Sequence, residues 1–233
     1  MNITTESAKV LTVNHYPGDY LQLRIAAPQC ARHIQPGQYL QINDQRWTVM
    51  RKFSEWIDCL ERSVKSPMES SRVNVTGPLG EAFALESTTP RALLLGGEGG
   101  IAPLIFLTDV LRHRRPRSKL MLLLYSQYPF PFRTQPSQIM VSGLPTWVTA
   151  AIPLLEDWGI PSRLASPHEL PGCFSGNLDE LARGWLEVSQ GVADVTVYAC
   201  GPATLLADAR RLADAYHLPC QTVKALPAWL HLL

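Results

Sequence analysis

Residues 93–104 read LLLGGEGGIAPL, a leucine run that enters four glycines around Glu98 and continues as Ile-Ala-Pro-Leu. An apolar run, a glycine-rich turn and a proline suited to a first helical turn together predict a β-strand followed by an α-helix. Unpaired N–H groups at such a helix start favour a phosphate, whereas Glu98 places a negative charge in the turn. The stretch therefore indicates a dinucleotide site, a damaged one, or a tight turn that binds nothing.

The chain after this stretch alternates between apolar runs and helical spacing. Strands alternating with helices predict βαβ units and a parallel sheet, which defines an α/β unit over residues 89–233. The predicted strands are 91–95, 119–125, 146–152, 161–165 and 194–199, and the predicted helices are 102–113, 177–188 and 203–217.

The chain before residue 89 has a different pattern, with short alternating segments separated by Pro and Gly turns. Several short strands with few helix signals predict a small antiparallel barrel or sandwich over residues 1–88. The predicted strands are 8–13, 20–26, 38–42, 46–51, 56–64 and 72–76. The expected fold is therefore a β-barrel followed by a parallel-sheet nucleotide-binding type of domain.

The composition narrows the functional classes. A net charge of +1 over 233 residues argues against a nucleic-acid binder. No apolar run reaches the roughly 20 residues of a membrane span, and the N-terminus lacks the pattern of a signal peptide. The five cysteines are odd in number and form no Cys-x-x-Cys pair, which favours a reducing cytoplasm and no metal site. The basic run 112–119 is typical of a helix C-terminus, with phosphate binding as the alternative.

A second strand-to-helix junction lies at residues 197–202, Val-Tyr-Ala-Cys-Gly-Pro. The turns that follow parallel strands meet at the carboxyl edge of their sheet, where ligands bind in α/β folds. Cys200 is therefore expected beside the glycine turn. The alternative is that Cys200 is a small buried apolar residue.

Four motifs in order carry a resemblance to a known family: Pro36-Gly37-Gln38-Tyr39, Gly77-Pro78-Leu79-Gly80, Gly100-Ile101-Ala102-Pro103-Leu104 and Tyr198-Ala199-Cys200-Gly201-Pro202. Together they span nearly the whole chain. The sequence resembles the ferredoxin-NADP reductase superfamily. Within it, the residues of these motifs are most similar to those of the electron-transfer subunits of dihydroorotate dehydrogenase.

The resemblance implies FAD against the barrel, NAD(P)H against the sheet, and hydride transfer from nicotinamide to flavin. It implies catalytic positions at Thr48 and Cys200. On the barrel, the implied cofactor-binding residues are Gln45, Arg46, Trp47, Thr48 and Val49. On the sheet, they are Gly96, Gly97, Gly99, Gly100, Ile101, Ala102, Pro103, Cys200, Gly201 and Pro202.

The sequence departs from the family pattern at both cofactor sites. Gln45 stands where the family has the arginine of its Arg-x-aromatic-Ser/Thr motif, and Arg46 is expected on the opposite face of the strand. Trp47 either stacks on the flavin or is a core aromatic. The turn at residues 65–71 lacks the usual glycine, and Glu98 stands where a glycine usually admits the diphosphate.

The C-terminal segment departs furthest, because Cys220 is the only cysteine beyond Cys200. A [2Fe–2S] centre needs four ligands, so no iron–sulfur cluster is expected. Trp229 is expected on the domain body or over the flavin. The sequence favours a flavin-dependent NAD(P)H oxidoreductase or electron-transfer subunit that passes electrons to a partner protein or small acceptor. The alternative is a non-catalytic binding or regulatory module with degraded cofactor sites.

Overall fold

The N-terminal part of the chain forms a closed antiparallel barrel of six strands in the order β1-β2-β5-β4-β3-β6. The structure is a computed structural model that describes residues 3–62, 66–85, 90–188 and 194–225. Alternate residues of each strand point into the barrel and form its apolar core. The strands are β1 (Thr4–Tyr16), β2 (Tyr20–Ala26), β3 (Tyr39–Ile42), β4 (Gln45–Lys52), β5 (Ile57–Arg62) and β6 (Arg72–Leu79), with helix α1 (Pro28–His33) between β2 and β3.

The second part forms a parallel sheet of five strands in the order β11-β8-β7-β12-β13. Its strands are β7 (Arg91–Gly97), β8 (Lys119–Tyr125), β11 (Ser162–Ala165), β12 (Val195–Gly201) and β13 (Cys220–Lys224). Its helices are α2 (Ile101–Arg114), α3 (Pro153–Asp157), α4 (Leu178–Glu187) and α5 (Ala203–Ala215). The predicted combination of antiparallel barrel and parallel sheet is thus confirmed.

One predicted strand is absent from the main sheet, and one strand of that sheet was not predicted. The segment 146–152 is not a strand of the main sheet, because only β10 (Ala150–Ala151) pairs there, with β9 (Gln135–Pro136) in a separate ribbon. The N–H groups of Thr149 and Ala150 donate to the Gly172 carbonyl, which ties this segment to a loop. Strand β13 was not predicted. The predicted boundary at residue 88 lies outside the described residues and stays a prediction.

Helix α2 joins the barrel to the sheet. Nine of its fourteen residues are buried, so it is apolar on most of its circumference rather than along one stripe. Phe106 packs with the barrel core, whereas Leu104 and Leu107 pack with the side of the sheet that faces the barrel. A helix apolar on both sides must be covered on both sides. The glycine turn that starts α2 is therefore placed between the barrel and the sheet.

A stack of arginine and aromatic side chains forms a second link between the two parts. The Trp158 ring, which follows α3, lies 4.2 Å from the Arg112 guanidinium carbon of α2. The Arg51 guanidinium carbon of β4 lies 5.7 Å from the same ring and 5.1 Å from Phe53. Trp158 thus contacts one cation from the barrel and one from α2.

We expect Trp158→Ala to lower the free energy of unfolding by about 2 kcal/mol, because it removes two cation–π contacts and half-buried aromatic surface. Trp147→Ala is the matched control, since Trp147 is 55% exposed and makes no cation–π contact among the described residues. Urea denaturation measures both. Equal losses in the two variants would contradict a specific role of Trp158.

Candidate functional site

Two strand-to-helix turns contact each other at the carboxyl edge of the parallel sheet. A Cβ added to Gly100 would lie 2.0 Å from the Cys200 carbonyl oxygen, and one added to Gly201 would lie 3.0 Å from the Gly97 carbonyl oxygen. The approach of these backbones explains why Gly100 must be a glycine. Cys200 therefore lies beside the glycine turn, as predicted. The close approach joins the backbones of the two turns.

Most of the sheet-side residues predicted to bind a cofactor are enclosed by protein. The buried ones are Gly96, Gly97, Gly100, Ile101, Ala102, Pro103, Cys200 and Gly201. Gly97 and Pro202 line an open cavity, and Gly99 is half-exposed. Most of these residues thus pack in the protein interior. The residues that a ligand in the cavity could reach are Gly97, its neighbour Glu98, and Pro202.

The open cavity has a volume of about 580 Å³ and lies at the carboxyl ends of β7 and β8 and the start of α5. Its walls combine apolar groups with Tyr125, Asn177 and Thr204. Its size falls within the range of small-molecule sites, and the carboxyl edge is where ligands bind in parallel-sheet folds. This cavity is therefore a candidate site for a nucleotide.

The charge of this cavity opposes a phosphate. Among the described residues its lining contains three carboxylates and no Lys or Arg: Glu98, Asp179 and Asp208. Asp179 is paired with Arg183 at 2.7 Å and Asp208 is paired with Arg211. Glu98 has no ion pair among the described residues, so its charge is the least compensated of the three.

The backbone at Glu98 has the conformation that favours glycine. Its φ angle is +42°, in the left-handed region where a residue with a Cβ is strained by about 1–2 kcal/mol. The Glu98 side chain lies at the cavity and also acts electrostatically on Tyr20 of the barrel. The expectation that a glycine would suit this position better agrees with its geometry.

On the barrel, the orientation of β4 decides between the two alternatives for Trp47. Trp47 is 1% exposed and packs with Val49 in the barrel core, so it does not offer a ring to a ligand. Arg46 and Thr48 lie on the other face of the strand, toward the sheet domain. Arg46 thus lies on the opposite face from Trp47, as expected for adjacent strand residues, and its cofactor role stays a prediction.

A smaller cavity of about 230 Å³ lies beside Arg46, between β3 and β13. The Arg46 guanidinium carbon stands 4.0 Å from the centre of the Tyr39 ring, and Lys224 lines the opposite wall. Sequence reasoning missed Tyr39 and Lys224 as site residues. Tyr39 lay within a quoted motif, but only its pairing with Thr48 shows which face it shares. Lys224 comes from the strand that was not predicted.

The two residues predicted to be catalytic do not present reactive groups in this structure. The Thr48 hydroxyl donates its proton to the Leu60 carbonyl, so it cannot donate the same proton to a ligand. Cys200 is fully buried, and burial raises the pKa of its thiol to about 12, although Arg46 lowers it in part. At neutral pH Cys200 is a protonated thiol in the interior, as the apolar alternative anticipated.

The other predicted features have simpler placements. In the turn before β6, the Glu69 carboxylate accepts the Val13 N–H at 3.0 Å, which ties the turn to β1. Trp229 lies outside the described residues. In the described ranges, no group of three or more His, Cys, Asp or Glu side chains is placed to hold a metal ion. None of the helices described is long and apolar enough to cross a bilayer. The absence of an iron–sulfur cluster and the cytoplasmic location stay predictions.

The fold is shared with solved flavoprotein reductases. The chain is similar to a cytochrome P450 reductase of Amycolatopsis, with a TM-score of 0.70 and 17% identity over 97% of this chain and 71% of that one. It is similar to the ferredoxin reductase of carbazole 1,9a-dioxygenase, with a TM-score of 0.73 and 14% identity over 96% and 70%. A ferredoxin NADP+ reductase of Neisseria gonorrhoeae with bound FAD and NADP gives a TM-score of 0.65 and 12% identity over 95% and 99%.

At 12–17% identity these neighbours show a shared fold, an antiparallel barrel followed by a parallel sheet. No protein-family model matches the chain, and no curated protein matches it. The finer resemblance to the dihydroorotate dehydrogenase subunits stays a prediction.

We expect Glu98→Gly to raise the affinity for NADH by about tenfold, because it removes both an unpaired charge and a side chain from the cavity lining. Glu98→Gln removes only the charge and is expected to give a smaller gain of about threefold. Calorimetry measures both affinities. An unchanged or weaker affinity in Glu98→Gly would show that the turn is not a compromised nucleotide site.

Proposed function

We propose that the chain is a flavin-dependent NAD(P)H oxidoreductase or electron-transfer subunit of the ferredoxin reductase-like kind. The observation that carries the proposal is that the outward face of β4 abuts the carboxyl edge of the parallel sheet. Thr48 and Arg46 belong to that face, and Arg46 lines one cavity with Val223 and Lys224 at the end of β13. A flavin on the barrel and a nicotinamide on the sheet would therefore meet.

The donor set beside Arg46 fits the chemistry of a flavin nucleotide. Arg46 and Lys224 supply two cations for a phosphate against the one carboxylate of Glu81, and Tyr39 supplies the ring face that Arg46 leaves free. When bound, FAD would supply a two-electron acceptor for a hydride. The cavity of about 230 Å³ holds only part of such a ligand, so the remainder would lie along the outer surface of the barrel. We assign Arg46 and Lys224 to the phosphates and Tyr39 to the ring.

Electrons that reach the flavin would leave to a second molecule. Solved neighbours include the reductase of a dioxygenase and one described as transferring electrons from pyridine nucleotides to [2Fe-2S]. The described residues of this chain contain no cluster of cysteines to continue such a relay. We propose a separate redox protein or a small acceptor as the recipient.

A visible absorbance scan of the purified protein with FAD tests the proposal. We expect a bound flavin that NADH bleaches in the absence of oxygen. Arg46→Gln should weaken FAD binding by about tenfold or more, because it removes a charged hydrogen-bond donor to phosphate. Arg32→Gln, at an exposed arginine of α1, is the matched control and should bind as the parent does. A protein that neither binds flavin nor bleaches would refute the proposal.

The carboxylates of the open cavity predict the choice between the two nicotinamide nucleotides. NADPH carries an additional phosphate, which Glu98, Asp179 and Asp208 would repel. We expect NADH to be used with about tenfold higher kcat/KM than NADPH. Asp208→Asn should narrow that ratio. A preference for NADPH would show that the phosphate lies away from these carboxylates.

A non-catalytic binding module is the second candidate, favoured by the burial of Trp47, Thr48 and Cys200. The two candidates differ in what calorimetry should find. Stoichiometric binding of both FAD and NADH supports the oxidoreductase. Binding of neither, with a cooperative thermal unfolding transition retained, supports the module.

A further inference from the structure

The turn between β4 and β5 forms a protruding hairpin tip, residues 53–56. Phe53, Ser54 and Glu55 are three consecutive exposed residues, and the Phe53 N–H donates to the Trp56 carbonyl at 2.9 Å, which closes the turn. Phe53 is 41% exposed although it is a large apolar residue. The proposed oxidoreductase function uses none of these residues, so it does not explain why they are presented to solvent.

The aromatic side chains of the hairpin tip are held in place by their neighbours. The rings of Phe53 and Trp56 are stacked with their centres 3.8 Å apart. The Arg24 guanidinium carbon lies 3.7 Å from the centre of the Trp56 ring, and Arg24 is itself fixed by two hydrogen bonds to the Asp58 carboxylate. Side chains that are already ordered lose little conformational entropy on binding, so this apolar surface can be buried at low cost.

Basic side chains surround the base of the hairpin tip. The Arg51 guanidinium carbon lies 5.1 Å from the centre of the Phe53 ring. Lys52 donates to two carbonyls at the end of α1, which brings the exposed Arg32 of that helix alongside. Burial lowers the pKa of Lys52, and the charge of Arg114 at the end of α2 lowers it further, so Arg114 lies near as well. Four cations from three elements thus converge at one end of the barrel.

Little negative charge offsets these four cations. In the part of the chain that the structure describes, none of the four forms an ion pair. The carboxylates of Asp58 and Asp109 are each paired with another arginine at 2.7 Å. Glu55, at the tip itself, is exposed and forms no ion pair with the described residues. The surface is therefore apolar at its tip and positively charged around its base, with the one charge of Glu55 opposed to it.

A protruding tip of this kind suits a fluid bilayer surface better than a rigid protein. A specific protein interface buries about 1,200–2,000 Å² over matched surfaces, whereas this tip offers two partly exposed aromatic rings. Aromatic residues beside Lys and Arg are the composition that lies at the boundary between lipid headgroups and acyl chains. Cations set back from an apolar tip reach anionic headgroups when the tip enters that boundary.

We propose that the hairpin tip is a peripheral contact with an anionic lipid bilayer. The rings of Phe53 and Trp56 would enter the boundary region, and the four cations at the base would contact headgroup phosphates. Glu55 would weaken the contact, because its carboxylate meets the same headgroups, so the binding is reversible. The tip follows Lys52, about 20 Å along β4 from Arg46, so the contact would leave the proposed flavin position open.

Co-sedimentation of the whole protein with lipid vesicles tests the proposal. One set of vesicles is phosphatidylcholine alone, and the other is equal parts of phosphatidylcholine and phosphatidylglycerol. We expect binding to the anionic vesicles to be at least about tenfold tighter than to the neutral ones, because each cation at the base is attracted to the negative surface. Phe53→Ser should weaken binding to the anionic vesicles by about tenfold, because it removes apolar surface from the tip.

Two charge variants test the electrostatic part of the contact. Arg114→Glu should weaken binding to the anionic vesicles by about tenfold, because it replaces an attraction by a repulsion. Glu55→Gln should strengthen binding by about threefold, because it removes the one carboxylate at the tip. Both residues are exposed, so the variants should fold, which thermal unfolding checks.

Two controls separate the hairpin tip from other surfaces. Met68→Ser removes an apolar side chain that is 79% exposed beyond the opposite end of β5, and Arg133→Glu repeats the charge reversal in the loop after β8. Both should bind vesicles within about twofold of the parent. Equal binding by Phe53→Ser and the parent would overturn the proposal. Absence of vesicle binding by the folded parent would also overturn it and would favour a protein with an acidic surface as the partner. Failure of the protein to bind flavin would leave this test unaffected.

Discussion

The placement of the barrel against the parallel sheet depends on one constraint: helix α2 must be covered on both sides. Because this helix is apolar on most of its surface, it holds the barrel core through Phe106 and the sheet through Leu104 and Leu107. The glycine turn before it must then lie in the joint between the two parts. Gly100 is fixed there by the Cys200 carbonyl. The motif that looks like a phosphate cradle thus serves the packing of the fold first.

The placement of the barrel against the sheet also decides which residues of β4 can reach a ligand between them. The outward face of β4 carries Arg46 and Thr48, and the inward face carries Trp47, so the cationic side of the strand meets the carboxyl edge of the sheet. The two edges of the sheet also differ in charge. Carboxylates line the open cavity at the carboxyl edge, and Arg and Lys side chains line a cavity at the amino edge. At the carboxyl edge, the carboxylates of the open cavity act against an anionic nucleotide, whereas Arg46 and Lys224 in the smaller cavity favour a phosphate.

Much of the fold could be predicted because local patterns determine it. The bounds of β2 (Tyr20–Ala26) and β8 (Lys119–Tyr125) agree with those expected from alternation and from a continuous apolar run. The orientation of Trp47 could not be predicted, since strand pairing sets which face a residue occupies. Strand β13 has no strand pattern of its own and is ordered by pairing with β12, so Lys224 was missed at the site.

The central claim is that a flavin nucleotide binds where β3 and β4 meet β13. Hydrogen exchange of the whole protein, with and without FAD, locates that site directly. The account predicts slower amide exchange over residues 39–48 and 220–224 when FAD is added, with residues 112–119 unchanged. Protection confined to other segments, or no protection at saturating FAD, would contradict it.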